Sequence, residues 1–375
     1  MQNQIESLPD TDIDFGDSEL KTLPYPEHSK AATKRSGRVL SQIIHGDEIT
    51  GEIITAFKVA HSWRISHVYP MRIEHRLLTN MAKEFGGSVT AARLKRMASI
   101  RKKLYRSPVS LERIQDLGGN RVVLPDVDAV YQFQAKFEKA HIARKKRETD
   151  YLKSPKPGGY RCLHLIVKPN CKGDRSVHNN QTLEIQIRTH LQHIWATAGE
   201  AIGAMRGEDI KAGEGSADWL RLLELMGAEL ALLDGLQVGE HVQQDRRARL
   251  RELARLELKL AAIDTLTTYT TAVDFQKNRG WESARFFLVV LDTISGTVRV
   301  RPQSSFISEP YDGQGDPSEK IQTALVSVSD ANALALAYPN FFLDVKEFLQ
   351  HLKDVLGYTD AKPKYDLSFL EGWNS

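Results

Sequence analysis

The sequence predicts an α/β protein, 375 residues long, in which short strands are interleaved with amphipathic helices. Two observations carry that prediction. Leu183-Glu-Ile-Gln-Ile-Arg-Thr189 alternates apolar and polar residues, so Leu183, Ile185 and Ile187 face a core while Glu184, Gln186 and Arg188 share the other side. Elsewhere, as in 51–85 and 126–140, the apolar spacing turns helical.

In chain order, residues 1–35 show no periodicity and contain three prolines, which reads as a flexible arm. Residues 51–85 read as helix through Ile53, Ile54, Phe57, Val59, Ala60 and Ile65, stopping at Gly86-Gly87. Residues 88–96 read as a strand with Arg93 and Lys95 on one face. Ser99 is then the expected N-cap of a helix reaching Tyr105. A continuous helix is the competing reading, and it would align Lys95, Ser99 and Lys103. A short helix over 109–117 is expected to deliver Asp116 to a strand at 121–124, followed by helix 126–140. Strands at 161–168 and 183–189 flank a polar turn, and helix fills 190–205 and most of 219–274. The last helical stretch has a charged face at Arg246, Arg247, Arg249, Arg251 and Glu252. A domain boundary is placed at 274–280. Beyond it come strands at 286–291, 296–301 and 323–328 and a helix at 345–356. No internal repeat is visible.

Composition excludes several classes. No stretch approaches the ~18 apolar residues of a membrane span, and the acidic, polar start is unlike a signal peptide. Cys162 and Cys171 suit neither a disulfide scaffold nor a zinc site, so a reducing cytoplasm is expected. No Walker-type phosphate loop occurs. The net charge of +3 is unevenly spread: residues 91–106 carry seven basic residues and no acidic one, and Arg144, Lys145, Lys146 and Arg147 are consecutive. Such runs are usually solvated faces; positive potential here would also serve polyphosphate or RNA.

The run Lys153-Ser-Pro-Lys-Pro-Gly-Gly-Tyr-Arg-Cys-Leu-His164 supplies cations, a glycine turn and an aromatic ring at the head of a strand. With the Glu184, Gln186, Arg188 row it suits a phosphate–metal site; an ordinary half-solvated strand is the other reading. Arg93-Leu-Lys95 with Ser99-Ile-Arg-Lys-Lys103, Asp116-Leu-Gly-Gly-Asn-Arg121 and Asp150-Tyr151 before Pro155-Lys156 stand upstream in order. Together these five motifs resemble the RelA/SpoT synthetase domain. That resemblance implies a RelA/SpoT nucleotidyltransferase-like mixed sheet flanked by helices, over residues 36–275, and an ATP pyrophosphokinase. Trp195 and Glu200 are similar to residues of the family's closing helix. Cys162 replaces the usual serine and Thr149 stands where many alarmone makers carry lysine. No His-Asp doublet of the family's hydrolase half occurs, so a synthetase alone is expected.

The resemblance assigns ATP binding to Arg93, Lys95, Ser99, Lys103 and Arg121, magnesium to Asp116 and Glu184, and catalysis to Glu184, Asp116 and Arg121. Glu184 has a second reading as acceptor of the attacking hydroxyl's proton. Tyr160 would stack on the acceptor base, with Lys153, Lys156, Arg161, His164, Gln186 and Arg188 on the acceptor side. For His164 a structural role stands beside the site-lining one, and Gln186 and Arg188 are read equally as orienting residues. Asp116 as a turn cap and Tyr160 as a packed turn aromatic are the plain alternatives. Residues 276–375 resemble the small β-rich, pseudo-zinc-finger-like antitoxin module of fused toxic small alarmone synthetases, the CapRel type of phage-defence protein. Tyr338-Pro-Asn-Phe341 would be its regulatory Tyr-x-x-Tyr, with one hydroxyl missing. The implied partners are ATP and Mg2+, the tRNA CCA end as acceptor and a phage capsid protein as trigger, with no membrane. A conventional alarmone synthetase and a non-catalytic nucleotide or RNA-binding module are the alternatives.

Overall fold

The computed structural model describes residues 20–43, 48, 50–141, 144–210, 213–272, 274–275, 286–292, 297–303, 321–327, 345–359 and 362–363. Its helices are α1 Lys30–Gln42, α2 Gly51–Ile65, α3 Val68–Ala82, α4 Met97–Arg106, α5 Val127–His141, α6 His190–Arg206, α7 Ala217–Leu233, α8 Arg246–Leu260, α9 Ala262–Ala272 and α10 Lys346–Leu356. Its strands are β1 Val89–Leu94, β2 Gly118–Leu124, β3 Lys145–Asp150, β4 Leu163–Val167, β5 Leu183–Thr189, β6 Asp274–Phe275, β7 Phe286–Asp292, β8 Thr297–Gln303, β9 Ile321–Ser327, β10 Tyr358–Thr359 and β11 Lys362–Pro363.

Strands β3-β4-β5-β2-β1 form a mixed sheet, antiparallel except for the parallel β2–β5 pair. One face carries Ala92, Leu94, Val122, Leu124, Leu163, Leu165, Val167, Leu183, Ile185 and Ile187, which pack on Val68, Met71 and Leu78 of α3 and Phe133 and Phe137 of α5. On the other side, α6 and α7 form a helical layer with Trp195, Trp219, Leu222 and Leu253 at its centre.

Several elements differ from the sequence expectation for local reasons. The stretch 51–85 breaks into α2 and α3 at Ser66-His67. Pro70 cannot donate to the carbonyl four residues back, and Ser66 Oγ and His67 Nδ1 both reach Trp63 O, at 2.8 and 2.9 Å. The strand at 88–96 ends at Leu94, leaving Lys95 just beyond it. Helix α4 starts at Met97 with Arg96 at its N-cap, so Ser99 sits inside the first turn. The helix expected over 109–117 shrinks to a single 3-10 turn, Leu111–Arg113. Strand β3 was invisible to periodicity because Lys-Lys-Arg-Glu-Thr-Asp is wholly polar. It is an edge strand, where lysines deter further pairing. The arm is docked from Leu20 onward: Leu23 is buried, and Arg175 donates to the carbonyls of Leu20, Lys21 and Leu23.

Among the described residues, the C-terminal segment meets the rest of the chain through a strand and through a helix. Strand β9 pairs antiparallel with β1 at Ala92 and Arg93, extending the sheet to nine strands in the order β3-β4-β5-β2-β1-β9-β7-β8-β6. Helix α10 inserts Phe348, Leu349, Leu352 and Leu356 into the same core as Trp219, Leu253 and Leu266. Helix α10, beyond the expected boundary at 274–280, thus shares a core with helices before it. Tyr338 and Phe341 lie outside the described residues.

Phe348 is fully buried, so Phe348→Ala should cost about 3–5 kcal/mol in urea unfolding followed by tryptophan fluorescence. A chain cut after Phe275 should lose at least as much. A change below ~1 kcal/mol for Phe348→Ala would show that α10 is not part of the core.

Candidate active site

The register of the sheet builds one polar face. In the parallel pair, Gly119 lies beside Glu184, Arg121 beside Gln186 and Val123 beside Arg188. In the antiparallel neighbours, Arg93 lies beside Gly119 and His164 beside Gln186. Laterally paired residues point to the same side, so Arg93, Arg121, Glu184, Gln186, Arg188 and His164 share the face opposite the α3–α5 core. Gly119 leaves open floor between Arg93 and Glu184; a Cβ built there would meet nothing closer than Arg93 O at 3.8 Å.

On the side expected to hold ATP, Asp116 sits in the turn before β2 and binds two lysines. Lys95 Nζ donates to Oδ2 at 2.9 Å and Lys103 Nζ to Oδ1 at 3.0 Å. Lys95 is held in turn through its backbone: its N–H donates to Leu117 O, and its carbonyl accepts from Arg64 Nε at 2.6 Å. Burial would raise the Asp116 pKa, but Lys95 and Lys103 outweigh it and hold it at about 2. Ser99 is half-buried one turn before Lys103 on α4.

The β5 row forms a ladder of hydrogen bonds. Gln186 Nε2 donates to Glu184 Oε2 and Arg188 Nη2 donates to Gln186 Oε1, each at 2.8 Å. Glu184 Oε1 meets His164 Nδ1 at 2.9 Å, and His164 Nε2 meets Tyr160 Oη at 2.8 Å. Burial would raise the Glu184 pKa and the Asp116 charge adds to that, yet His164 and Gln186 hold it below the ordinary carboxylate range. Burial disfavours the imidazolium of His164, but Cys162 and Glu184 outweigh it and push its pKa up. Glu184 is thus a carboxylate at neutral pH, within the field of Asp116.

The loop expected to hold the acceptor is aromatic and cationic. Asp150 Oδ1 accepts from the N–H groups of Leu152 and Lys153, opening the turn. Tyr160 meets Tyr151, His164 and Trp195 edge-on, with ring centroids 5.8–6.0 Å apart. Lys156 Nζ lies 4.6 Å from the Tyr151 ring centre and 5.3 Å from that of Tyr160, within cation–π reach. Gly159 adopts φ +89°, and a Cβ there would lie 3.2 Å from Glu224 Cα of α7, so a side chain is excluded by both backbone and neighbour. Lys153 is exposed, near Asp150 and the Tyr131 ring.

The expected residues thus divide. Arg93, Lys95, Ser99, Lys103, Asp116, Arg121, Glu184, Gln186, Arg188 and His164 belong to one face or the turn and helix beside it. Tyr160, Lys153 and Lys156 belong to the adjoining loop. Arg161 points elsewhere: it is buried and its guanidinium donates to Leu152 O and to Gln237 O, both at 2.5 Å, clamping the loop from behind. Arg188 is 1% exposed and reaches the site through Gln186. Tyr151 was missed as a site residue, although its Asp-Tyr doublet marked it. Arg221 and Glu224 were missed altogether; Glu224 accepts from Gly158 N–H and pairs with Arg221 at 2.7 Å, bracing the loop from α7. Both lie far from the motifs in sequence and left no local signal.

With this geometry in view, the likeness to known proteins falls on the same stretch. Residues 92–204, from β1 to α6, match the family model described as a region found in RelA / SpoT proteins. The chain is 30% identical over 127 residues to GTP pyrophosphokinase YwaC of Bacillus subtilis, covering 32% of this chain and 60% of that protein. It is 33% identical over 115 residues to GTP pyrophosphokinase YjbM of the same organism, covering 28% of this chain and 51% of that protein. The matched stretch thus spans between half and three-fifths of these relatives. A crystal structure of small alarmone synthetase 2 from Bacillus subtilis superposes with a TM-score of 0.38 at 24% identity, covering 46% of this chain and 92% of that one.

The Asp116 pairing predicts a pH dependence. Its folded pKa, about 2, lies below the ordinary aspartate value of 3.8, so it adds stability above pH ~4 that is lost as pH falls towards 2. The loss is about 2 kcal/mol. Denaturation of wild type and Asp116→Asn between pH 5 and 2 should show this segment only in wild type; matching pH profiles would refute the pairing.

Proposed function

We propose that this protein transfers the β,γ-pyrophosphate of ATP to a 3′-hydroxyl. The observation that carries the reading is one sheet face on which an ionised carboxylate, Glu184, lies among Arg93, Arg121 and Gln186, with a cation-bound carboxylate, Asp116, in the turn beside it. Transfers of phosphoryl groups are catalysed chiefly by positioning and charge neutralisation. Arg93, Lys95, Ser99, Lys103 and Arg121 would hold the triphosphate, arginine as a planar fork and lysine as a point charge. The acceptor oxygen attacks the β-phosphorus, the bond from that phosphorus to the α-bridging oxygen breaks, and AMP leaves. The hydroxyl proton passes to Glu184, whose depressed pKa keeps it ionised and whose other oxygen is oriented by Gln186. His164 holds Glu184 and also meets Tyr160 Oη, so one imidazole joins the aromatic loop to the base.

Asp116 and Glu184 also fit magnesium, which takes one or two protein carboxylates and completes its shell with phosphate oxygens and water. Among the described residues no cluster of three or more candidate ligands exists, which such a substrate-completed site does not require. Bound there, the ion would neutralise charge on the transferred group.

For the acceptor, we favour the 3′ terminal adenosine of tRNA, in keeping with the fused toxic synthetases that the sequence resembles and with Thr149 in place of a lysine. The pairing of β9 with β1 at Arg93 supports a reading in which the C-terminal segment restrains the donor side until a trigger, such as a phage capsid protein, binds. The second reading, a guanine-nucleotide acceptor, is supported by the names of the relatives. A cytoplasmic setting accords with both; no helix among the described residues is long and apolar enough to cross a membrane.

The test offers γ-labelled ATP with GDP, GTP, adenine nucleotides or deacylated tRNA to the full chain. Label on tRNA supports the first acceptor, and label on free nucleotides the second. Glu184→Gln should lower either transfer by about 10^2–10^4-fold while RNA binding persists. Undiminished transfer would remove Glu184 from the mechanism.

A further inference from the structure

Helix α4 carries more cations than the site described above uses. Successive helical residues turn by about 100°, so Ser99, Lys102, Lys103 and Arg106 share one stripe roughly 100° wide. Lys103 is held by Asp116. Lys102 and Arg106 are held by two carboxylates from the turn after α6, the nearer of them 107 residues on in sequence. Lys102 Nζ donates to Asp209 Oδ2 and lies 3.8 Å from Glu214 Oε2. Arg106 Nη1 lies 3.6 Å from the same Asp209 oxygen, and its Nη2 pairs with Glu214 at 2.5 Å.

The turn is built to present these two acids. Glu214 N–H donates to Asp209 O at 3.1 Å and Gly213 N–H to Ile210 O at 3.0 Å, which sets the acids next to each other. Ile210 between them is 5% exposed and belongs to the helical core. The other acid of the turn, Glu208, serves the fold instead: Arg206 pairs with it at 2.9 Å, and Ser216 N–H donates to it at 3.2 Å. Asp209 and Glu214 are 31% and 48% exposed, so burial does not compel their pairing with α4. Ion pairs this open to water are weak and exchangeable.

Lys95, Lys102, Lys103 and Arg106 thus each have a carboxylate of this chain as partner. A carboxylate and a phosphate oxygen ask the same of a lysine or an arginine, so two anions have a claim on one stripe. We infer that Asp209 and Glu214 are an internal competitor for the polyphosphate. They hold Lys102 and Arg106 and yield them to the β- and γ-phosphates of ATP, which lowers the affinity for ATP below what the cations alone would give. This rests on the reading of Ser99 and Lys103 as part of the ATP site.

The test titrates the full chain with a fluorescent ATP analogue and with the matching AMP analogue, which lacks the β- and γ-phosphates. The variant D209N/E214Q keeps the size of both side chains and removes their charge. It should bind the ATP analogue about five- to tenfold more tightly than wild type and the AMP analogue equally well. In a K102A/R106A background the same exchange should change nothing, because the cations in dispute are gone. Unchanged or weaker ATP-analogue binding by D209N/E214Q overturns the competitor and makes the acids braces of α4. An equal gain for the AMP analogue, or a gain that survives K102A/R106A, overturns it as well. Melting followed by tryptophan fluorescence accompanies each variant. Where the double exchange does not fold, Glu214→Gln alone should give a gain of about twofold, and no gain overturns the proposal. Lys103→Ala judges the ATP site separately. Weaker ATP-analogue binding by Lys103→Ala with no gain in D209N/E214Q leaves the site standing and removes the competitor. A gain in D209N/E214Q with undiminished binding by Lys103→Ala keeps the competitor and removes Lys103 from the site, and no binding by any form overturns both.

Discussion

The parallel pairing of β2 with β5 is the constraint on which the rest of the structure depends. It sets Gly119 beside Glu184 and Arg121 beside Gln186, and it turns Val122, Leu124, Ile185 and Ile187 to the opposite core. A slip of one residue would bury the carboxylate and guanidinium and expose the aliphatic row. The apolar face therefore enforces the geometry of the polar one. Because the two central strands are parallel, their connection must cross over, and that long excursion contains α5, β3, the acceptor loop and β4.

Electrostatics within the site follow from this frame. Asp116 spends its charge on Lys95 and Lys103, and Glu184 on His164 and Gln186. Each partly buried carboxylate is thus satisfied without a ligand, which avoids the penalty of an unpaired charge away from water. Under the proposed function, a polyphosphate would redistribute these pairs rather than create charge: the lysines would gain phosphate oxygens, and the carboxylates would be left to hold a cation. A partly buried setting strengthens each of these exchanges over its value in water.

Much of this was legible in the sequence because strand alternation is a two-residue period that needs no tertiary information. The Glu184, Gln186, Arg188 face and the cations of α4 could be read directly. Strand β3 could not, since an edge strand need not bury either face and its polar sequence imitates a solvated loop. The position of Ser99 turned on where β1 stops, a matter of two residues, and the helix break at Ser66-His67 turned on Pro70 and on side chains competing for the Trp63 carbonyl. Arg161 looked like an acceptor cation because motif spacing cannot reveal that its guanidinium is spent on two backbone carbonyls. The return of α10 into the helical core was hidden for a different reason. Its apolar face at Phe348, Leu349, Leu352 and Leu356 announces burial but not the partner.

The bond that breaks in ATP tests the central claim most directly. ATP labelled separately at the β and γ positions, incubated with an acceptor that accumulates label, distinguishes pyrophosphate transfer from phosphate transfer. The account predicts equal incorporation from both labels, with one AMP released per acceptor modified. Incorporation of the γ label alone, with ADP as the co-product, would contradict it.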